Sequence, residues 1–226
     1  MNIKRINVLL SGLLLLITII GCSNSNSHRN IVIIGDSNGA SPIGWVVKLD
    51  SMLASDRIIN YSIGGNTIGF DNNGKEKLNA LKNIQKNLVD ANEKVDQIDL
   101  VIVALGTNDC KAVFDSLLDS VPVNMERLIG EIQNFQYKNN IKPNILIVSP
   151  PEVGQDSMLL PKYYGIHHRL DLLVPKFEAI ASRMNCDFVN VRNATKNNFD
   201  KLTVDGIHFN DEGYYVIADQ ILQKIE

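Results

Sequence analysis

The chain has 226 residues, 45% of them apolar and 21% charged, with 15 Gly, 7 Pro and 3 Cys. This excludes intrinsically disordered chains, which carry fewer apolar residues, and disulfide-built miniproteins, which carry many more cysteines. The length suits one α/β domain or at most two small ones, and a formal charge of -3 argues against a nucleic-acid binder, which shows a basic excess.

Lys4 and Arg5 precede Ile6 to Ile20, where 11 of 15 residues are Ile, Leu or Val and none is charged. A short basic region followed by an apolar run shorter than a bilayer span of about 20 residues has the layout of a secretory signal. The run ends in Ile19-Ile20-Gly21-Cys22, which resembles a bacterial lipobox, the motif whose cysteine is diacylated and becomes the new N-terminus. The resemblance implies a signal peptide over 1–21. Cys22 is then the lipidated residue, opening a tether over 22–29 that includes the polar stretch Ser23-Asn24-Ser25-Asn26-Ser27. An uncleaved N-terminal anchor helix is the competing reading. Both put the rest of the chain outside the cytoplasm, held to a membrane of the cell envelope; two or three acyl chains make that attachment durable. Ser23 is not the Asp that resembles an inner-membrane retention signal. Removing Lys4 and Arg5 from the 22 basic residues leaves 20 against 25 acidic ones, a mature charge near -5.

From residue 30 onward, apolar runs bounded by turn residues alternate with segments of helical period. The runs are Asn30 to Ile34, Arg57 to Ser62, Leu100 to Leu105, Asn144 to Val148 and Asp187 to Val191. Most are continuous, as expected for parallel strands covered on both faces. Met125, Leu128, Ile129, Ile132 and Phe135 repeat at three and four residues; so do Leu173, Phe177, Ile180 and Met184, and Tyr214, Ala218, Ile221, Leu222 and Ile225. Five strands alternating with about five helices predict a single three-layer α/β/α domain over 30–226, doubly wound around a parallel sheet. Cys110 then follows one strand and Cys186 precedes another. A five-residue strand separates its ends by ~17 Å and a disulfide needs Cα atoms within about 7 Å, so both are expected to be free thiols. The stretch from Pro150 to His168 reads as a surface connection with some buried aromatics, with a part in a pocket wall as the alternative.

In an open parallel sheet, ligands bind at the carboxyl ends of the strands. The residues after the first run are Gly35-Asp36-Ser37-Asn38-Gly39. After the second comes a turn containing Gly64-Gly65-Asn66-Thr67, and after the third Gly106-Thr107-Asn108-Asp109. Asp205-Gly206-Ile207-His208 precedes the last helix. These pieces suit acyl transfer. Ser37 needs a base to take its proton, and His208 supplies an imidazole suited to neutral pH. Asp205 can hold that imidazole in the tautomer that leaves Nε2 free. Backbone N–H groups at Ser37 and Gly65 and the Asn108 amide can serve an oxyanion, each such donor being typically worth ~3 kcal/mol.

Gly-Asp-Ser, the second-block Gly, Gly-Thr-Asn-Asp and Asp-x-x-His together resemble the four sequence blocks of the SGNH hydrolases, or GDSL esterase/lipase family. They occur in the family's order from residue 35 to 208, nearly the whole mature domain. The resemblance implies a flavodoxin-like five-stranded sheet. It makes Ser37 the nucleophile and first oxyanion donor, Gly65 and Asn108 the other donors, His208 the base and Asp205 its partner. Between the adjacent glycines, Gly65 is favoured by the Asn-x4-Gly-x-Thr pattern from Asn60 to Thr67. Asn38 stands where the eponymous block has Leu, which is similar to bacterial arylesterase-like and acetylesterase-like members.

Two other motifs mislead. Gly35 to Gly39 fits the Gly-x-Ser-x-Gly nucleophile elbow, but too little chain precedes it to build the strands that elbow requires. Gly69-x4-Gly74-Lys75 approaches a phosphate-binding loop, yet Glu76 stands where a Ser or Thr must hold Mg²⁺. His28, His167, His168 and His208 lack metal-ligand spacing, so neither metal nor cofactor is expected. Trp45 and Phe70 are expected in or beside the core. The resulting expectation is a membrane-tethered serine esterase removing short acyl groups, acetyl above all, from a carbohydrate or other small ester, with no nucleic-acid partner. A lysophospholipase or thioesterase on longer chains, and a non-catalytic glycan-binding lipoprotein, are the alternatives.

Overall fold

The five apolar runs form the strands of one sheet in a computed structural model that describes residues 28–53 and 55–226. The signal segment, Cys22 and the tether to residue 27 lie outside the described residues. β1 (Asn30–Gly35), β2 (Arg57–Asn60), β3 (Leu100–Ala104), β4 (Asn144–Val148) and β5 (Asp187–Val189) are all parallel, in the order β2-β1-β3-β4-β5. The connecting helices are α1 (Ser37–Ala40), α2 (Trp45–Met52), α3 (Ala80–Lys94), α4 (Ser120–Asn134), α5 (Ile166–Arg183), α6 (Val191–Lys196), α7 (Phe199–Leu202) and α8 (Asp211–Ile225).

Side-chain alternation along the strands separates two cores. Val32, Val101 and Ile145 stand in register and share a cluster with the inner faces of α3, α4 and α5. Their neighbours Ile33, Ile102 and Leu146 point the other way, into a cluster with α2 and α8 that also buries Trp45. Burying an Ile or Leu fully contributes about 1.5–3 kcal/mol, so strands this short are held by the two helical layers that cover them. The three-layer architecture agrees with the sequence reading.

Local differences have local causes. β2 stops at Asn60 rather than Ser62, although Tyr61 and Ile63 still donate to the Ile33 and Gly35 carbonyls of β1. β5 stops at Val189 because the Asn190 side chain accepts from the Asn193 N–H and caps α6. The short helices α6 and α7 separate β5 from the Asp205 turn, which precedes the last helix as expected. The segment after Pro150 is a surface connection with a buried side, as expected: Gln155 to Met158, Leu160 to Lys162 and Tyr164 are exposed. It buries Val153, Leu159 and Tyr163 in the α5-side core, and α5 has begun by Ile166. Its apolar residues lack a period, so its packing left no pattern to read. Cys110 is buried and Cys186 half-buried, both free thiols; burial pushes the Cys186 thiol up to about 11.

Candidate active site

The strand order reverses direction beside β1. The chain passes from β1 outward to β2, then returns to β3 on the other side, so the loops after β1 and β3 diverge and leave a crevice. Gly35 and Ala104 pair at that edge. Two residues beyond Gly35 stands Ser37, and four beyond Ala104 stands Asn108.

Asp36 caps α1, its carboxylate accepting the Asn38 N–H at 3.0 Å, so Ser37 occupies the first helical position with its side chain at the crevice. Ser37 Oγ lies 3.0 Å from His208 Nε2, and His208 Nδ1 lies 2.7 Å from Asp205 Oδ2. The other Asp205 oxygen accepts the N–H groups of Ile207 at 3.0 Å and His208 at 2.8 Å. Burial pushes the Asp205 carboxyl up, but the His208 ring and these two N–H groups overcome it and hold the carboxyl below its ordinary value. A carboxylate fixed on Nδ1 leaves Nε2 as the acceptor facing the serine. This geometry can remove the Ser37 proton as the oxygen attacks a carbonyl carbon.

The N–H groups of Ser37 and Gly65 and the side-chain amide of Asn108 make no hydrogen bond to any described residue. They are the predicted oxyanion donors. Gly65 has φ 84°, a left-handed conformation that favours glycine, and its carbonyl is held by the Asn72 amide at 2.6 Å. Gly64, the competing glycine, lies against Ser37. Asn66 ties this turn to the end of β1 through the Gly35 carbonyl at 3.1 Å, and Asp109 holds it to the β3 loop by accepting the Ile68 N–H at 2.9 Å.

Asp36 and Asp109 are both buried. Burial raises the Asp36 carboxyl to about 6 against its hydrogen bond from Asn38 and the fields of His208 and Lys111. Burial likewise raises Asp109 to about 7, opposed by the N–H of Ile68 and reinforced by the charge of Asp36.

Several positioning residues escaped sequence reasoning. Asn38 donates to the Ile207 carbonyl at 3.4 Å and accepts the Tyr214 hydroxyl at 3.1 Å, joining the Ser37 helix to the His208 turn and to α8. Thr203 Oγ1 donates to the His208 carbonyl and accepts the Gly206 N–H. The polar stretch around α6 supplies Arg192, which bonds buried Glu152 at 3.3 Å and Asp171 at 2.7 Å. Pairing of this kind joins residues 40 apart in the chain and carries no sequence signature. His167 meets Glu152 and the Gly154 carbonyl, while His168 is exposed. Among the described residues no three His, Cys, Asp or Glu side chains are grouped to hold a metal ion. No strand leads into the Gly69–Lys75 stretch; its Asn72–Gly74 portion is a 3-10 turn, and Phe70 there stacks on Phe114.

Residues 25–216 match the GDSL-like lipase/acylhydrolase family. Among curated proteins none matches the sequence significantly. The fold is similar to that of a carbohydrate acetylesterase family member from Sinorhizobium meliloti, with TM-score 0.74 and 20% identity, covering 87% of this chain and 97% of that one. It is also similar to the M. smegmatis aryl esterase, with TM-score 0.73 and 22% identity over 87% and 98% of the two chains. A lipase/acylhydrolase from Enterococcus faecalis follows with TM-score 0.65 and 22% identity over 87% and 95%. With four sequence blocks converging on one sheet edge and a family match over most of its length, the chain belongs to the GDSL-like lipase/acylhydrolase family, the SGNH hydrolases, and is a carboxylic ester hydrolase.

Proposed function

We propose that the protein hydrolyses short-chain esters, acetyl esters above all, on a carbohydrate or other small molecule, through an acyl-enzyme on Ser37. The observation that carries this reading is the hydrogen-bonded chain Ser37–His208–Asp205 beside three N–H donors without protein partners. In the first half-reaction Ser37 Oγ attacks the ester carbonyl as its proton moves to His208 Nε2. The oxyanion is held by Ser37 N–H, Gly65 N–H and Asn108 Nδ2, and the alcohol leaves with the proton from His208. Water then repeats the sequence on the acyl-enzyme and releases the acid. Asp205 stays ionised and steadies the imidazolium. The His208 and Asp205 side chains are 39% and 53% exposed, which supports a small substrate met at an open edge. The acetylesterase and aryl esterase with similar folds support the same choice.

Apolar side chains left exposed near this edge, Val113, Leu160 and Val204, favour a second reading, a longer acyl chain. A p-nitrophenyl ester series separates the two. Residues 23–226 are expected to turn over acetate best, with Ser37→Ala slower by ~10³-fold or more. Rates rising from acetate to octanoate overturn the short-chain reading, and an equally active Ser37→Ala overturns the mechanism.

The export and anchoring at Cys22 belong to the same proposal. Arg29, where the tether meets the domain, bonds Asp56 and the Ile225 carbonyl at the amino edge of the sheet. Ser37 stands at the opposite edge, across a strand about 20 Å long. A domain held by that end presents its serine away from the bilayer, which supports a substrate outside the membrane. The intact mass of protein extracted from membranes is expected to show cleavage before Cys22 and added diacylglyceryl; an unmodified N-terminus overturns the anchor.

A further inference from the structure

Lys111 follows the Gly-Thr-Asn-Asp block directly and is 7% exposed, yet its ammonium makes no hydrogen bond or ion pair with any described residue. Its stem is buried while Nζ keeps access to solvent, so the three donors of the ammonium remain available to a ligand. Its Nζ lies 5.7 Å from the centroid of the Tyr163 ring, and Lys162 Nζ lies 5.2 Å from the same centroid. Lys162 is exposed and likewise without a partner among the described residues. Burial and then the neighbouring charge of Lys162 lower the Lys111 pKa, against the opposing fields of Asp109 and Asp36. Two cations are brought together by the fold, and neither forms an ion pair with a described residue.

The placement is rigid and near the reacting atoms. Buried Arg169 donates to the Cys110 carbonyl at 2.8 Å and also to the Tyr164 carbonyl, clamping the residue before Lys111 to the residue after Tyr163. Lys111 stands three residues past Asn108 and donates its N–H to the Asn108 carbonyl at 3.3 Å, while Tyr163 and Leu159 pack in one cluster with Ile207 of the His208 turn and Leu159 lies against Gly206, so this segment borders the Ser37–His208 edge. We propose that Lys111, with Lys162 beside the same Tyr163 ring, binds an anionic group carried by the ester substrate, so that the preferred substrates are esters bearing a carboxylate or similar anion.

This rests on the esterase reading, and two matched ester pairs test it. The acyl-side pair is p-nitrophenyl butyrate and mono-p-nitrophenyl succinate; the alcohol-side pair is phenyl acetate and 4-acetoxybenzoate. The quantity read is the ratio of kcat/KM for the anionic member to that for the neutral member. Within one protein that ratio cancels any common loss of fold or competence. In wild type the ratio of one pair is expected to exceed that of Lys111→Met by about 10- to 100-fold, the scale of a lost charge-assisted hydrogen bond. Lys162→Gln, at an exposed position, is expected to lower it less, and Lys111→Arg to preserve most of it. The pair that responds tells which side of the ester carries the anion. Ratios equal in wild type and both neutralising variants overturn the inference; Lys111 is then only a counter-charge to Asp36 and Asp109, slowing all four esters alike. If wild type hydrolyses none of the four, the esterase reading fails separately. Calorimetric titration with succinate and 4-hydroxybenzoate then decides the site. Binding by wild type that is lost in Lys111→Met supports it, and no binding by wild type overturns it.

Discussion

Gly154 donates its backbone N–H to the carbonyl oxygen of Gly206 at 2.7 Å. That bond joins the segment after β4 to the turn between Asp205 and His208, so the imidazole is held by main chain as well as by its carboxylate. The approach is close: a Cβ on Gly154 would stand 2.9 Å from the Gly206 Cα.

Gly154→Ala is therefore expected to push the Asp205 turn away from Ser37 while leaving the fold intact. A displacement near 1 Å at a reacting group costs about 100-fold in rate. Steady-state kinetics on p-nitrophenyl acetate are expected to show most of the loss in kcat rather than KM; an unaffected kcat shows that the contact does not position His208.

Asn38→Leu introduces the residue of the eponymous block and removes the bonds to the Ile207 carbonyl and the Tyr214 hydroxyl. Leaving a buried hydroxyl without its partner costs about 1–3 kcal/mol. A lower thermal midpoint is expected, together with a reduced kcat, because the strut between the serine and histidine segments is gone. Wild-type values for both would show that Leu and Asn are equivalent here.

Glu152 and Arg192 form a buried pair backing the same segment. Glu152→Gln leaves the guanidinium with only exposed Asp171 as a counter-charge, and breaking such pairs costs about 3–5 kcal/mol. The thermal midpoint is expected to fall by roughly 6–20 °C for a domain of this size. The double variant Glu152→Met with Arg192→Met is expected to recover part of the loss; a double variant worse than the single one contradicts the electrostatic explanation.

Asp109 gives a pH dependence of known sign. Its folded value near 7 lies above the ordinary 3.8, so between those values the native state keeps a proton that the unfolded chain releases. Stability contributed by this proton is complete below about pH 4, declines as pH rises, and is lost above pH 7, by up to about 1.4 kcal/mol per pH unit inside the window. Asp109→Asn does not titrate. The difference in thermal midpoint, variant minus wild type, is therefore expected to grow more positive from pH 4 to pH 7.5, whatever its starting value. A flat or falling difference means that Asp109 is ionised throughout.

Three of the four blocks were legible because each is a short local pattern with a chemical reason: Ser37 at a strand end, Asn108 in a turn, and Asp205 three residues before His208. Their order along the chain also carried the family and, through the alternation of apolar runs with helical periods, the parallel sheet. The second block was legible only in part, since sequence offers two adjacent glycines and conformation distinguishes them.

By itself, then, the sequence determined the architecture and the residues equipped for acyl transfer, because both follow from periodicity and side-chain chemistry. Only the tertiary structure decided which atoms meet. Asn38 finds Ile207 and Tyr214 across more than 160 residues of chain, the segment from Pro150 becomes a wall behind the Asp205 turn, and Lys111 is buried beside Tyr163 without a partner. Burial and long-range pairing depend on how layers stack and loops approach, and a linear pattern does not encode that proximity. The same limit explains why the acyl-transfer residues could be named from sequence while the cationic site beside them could not.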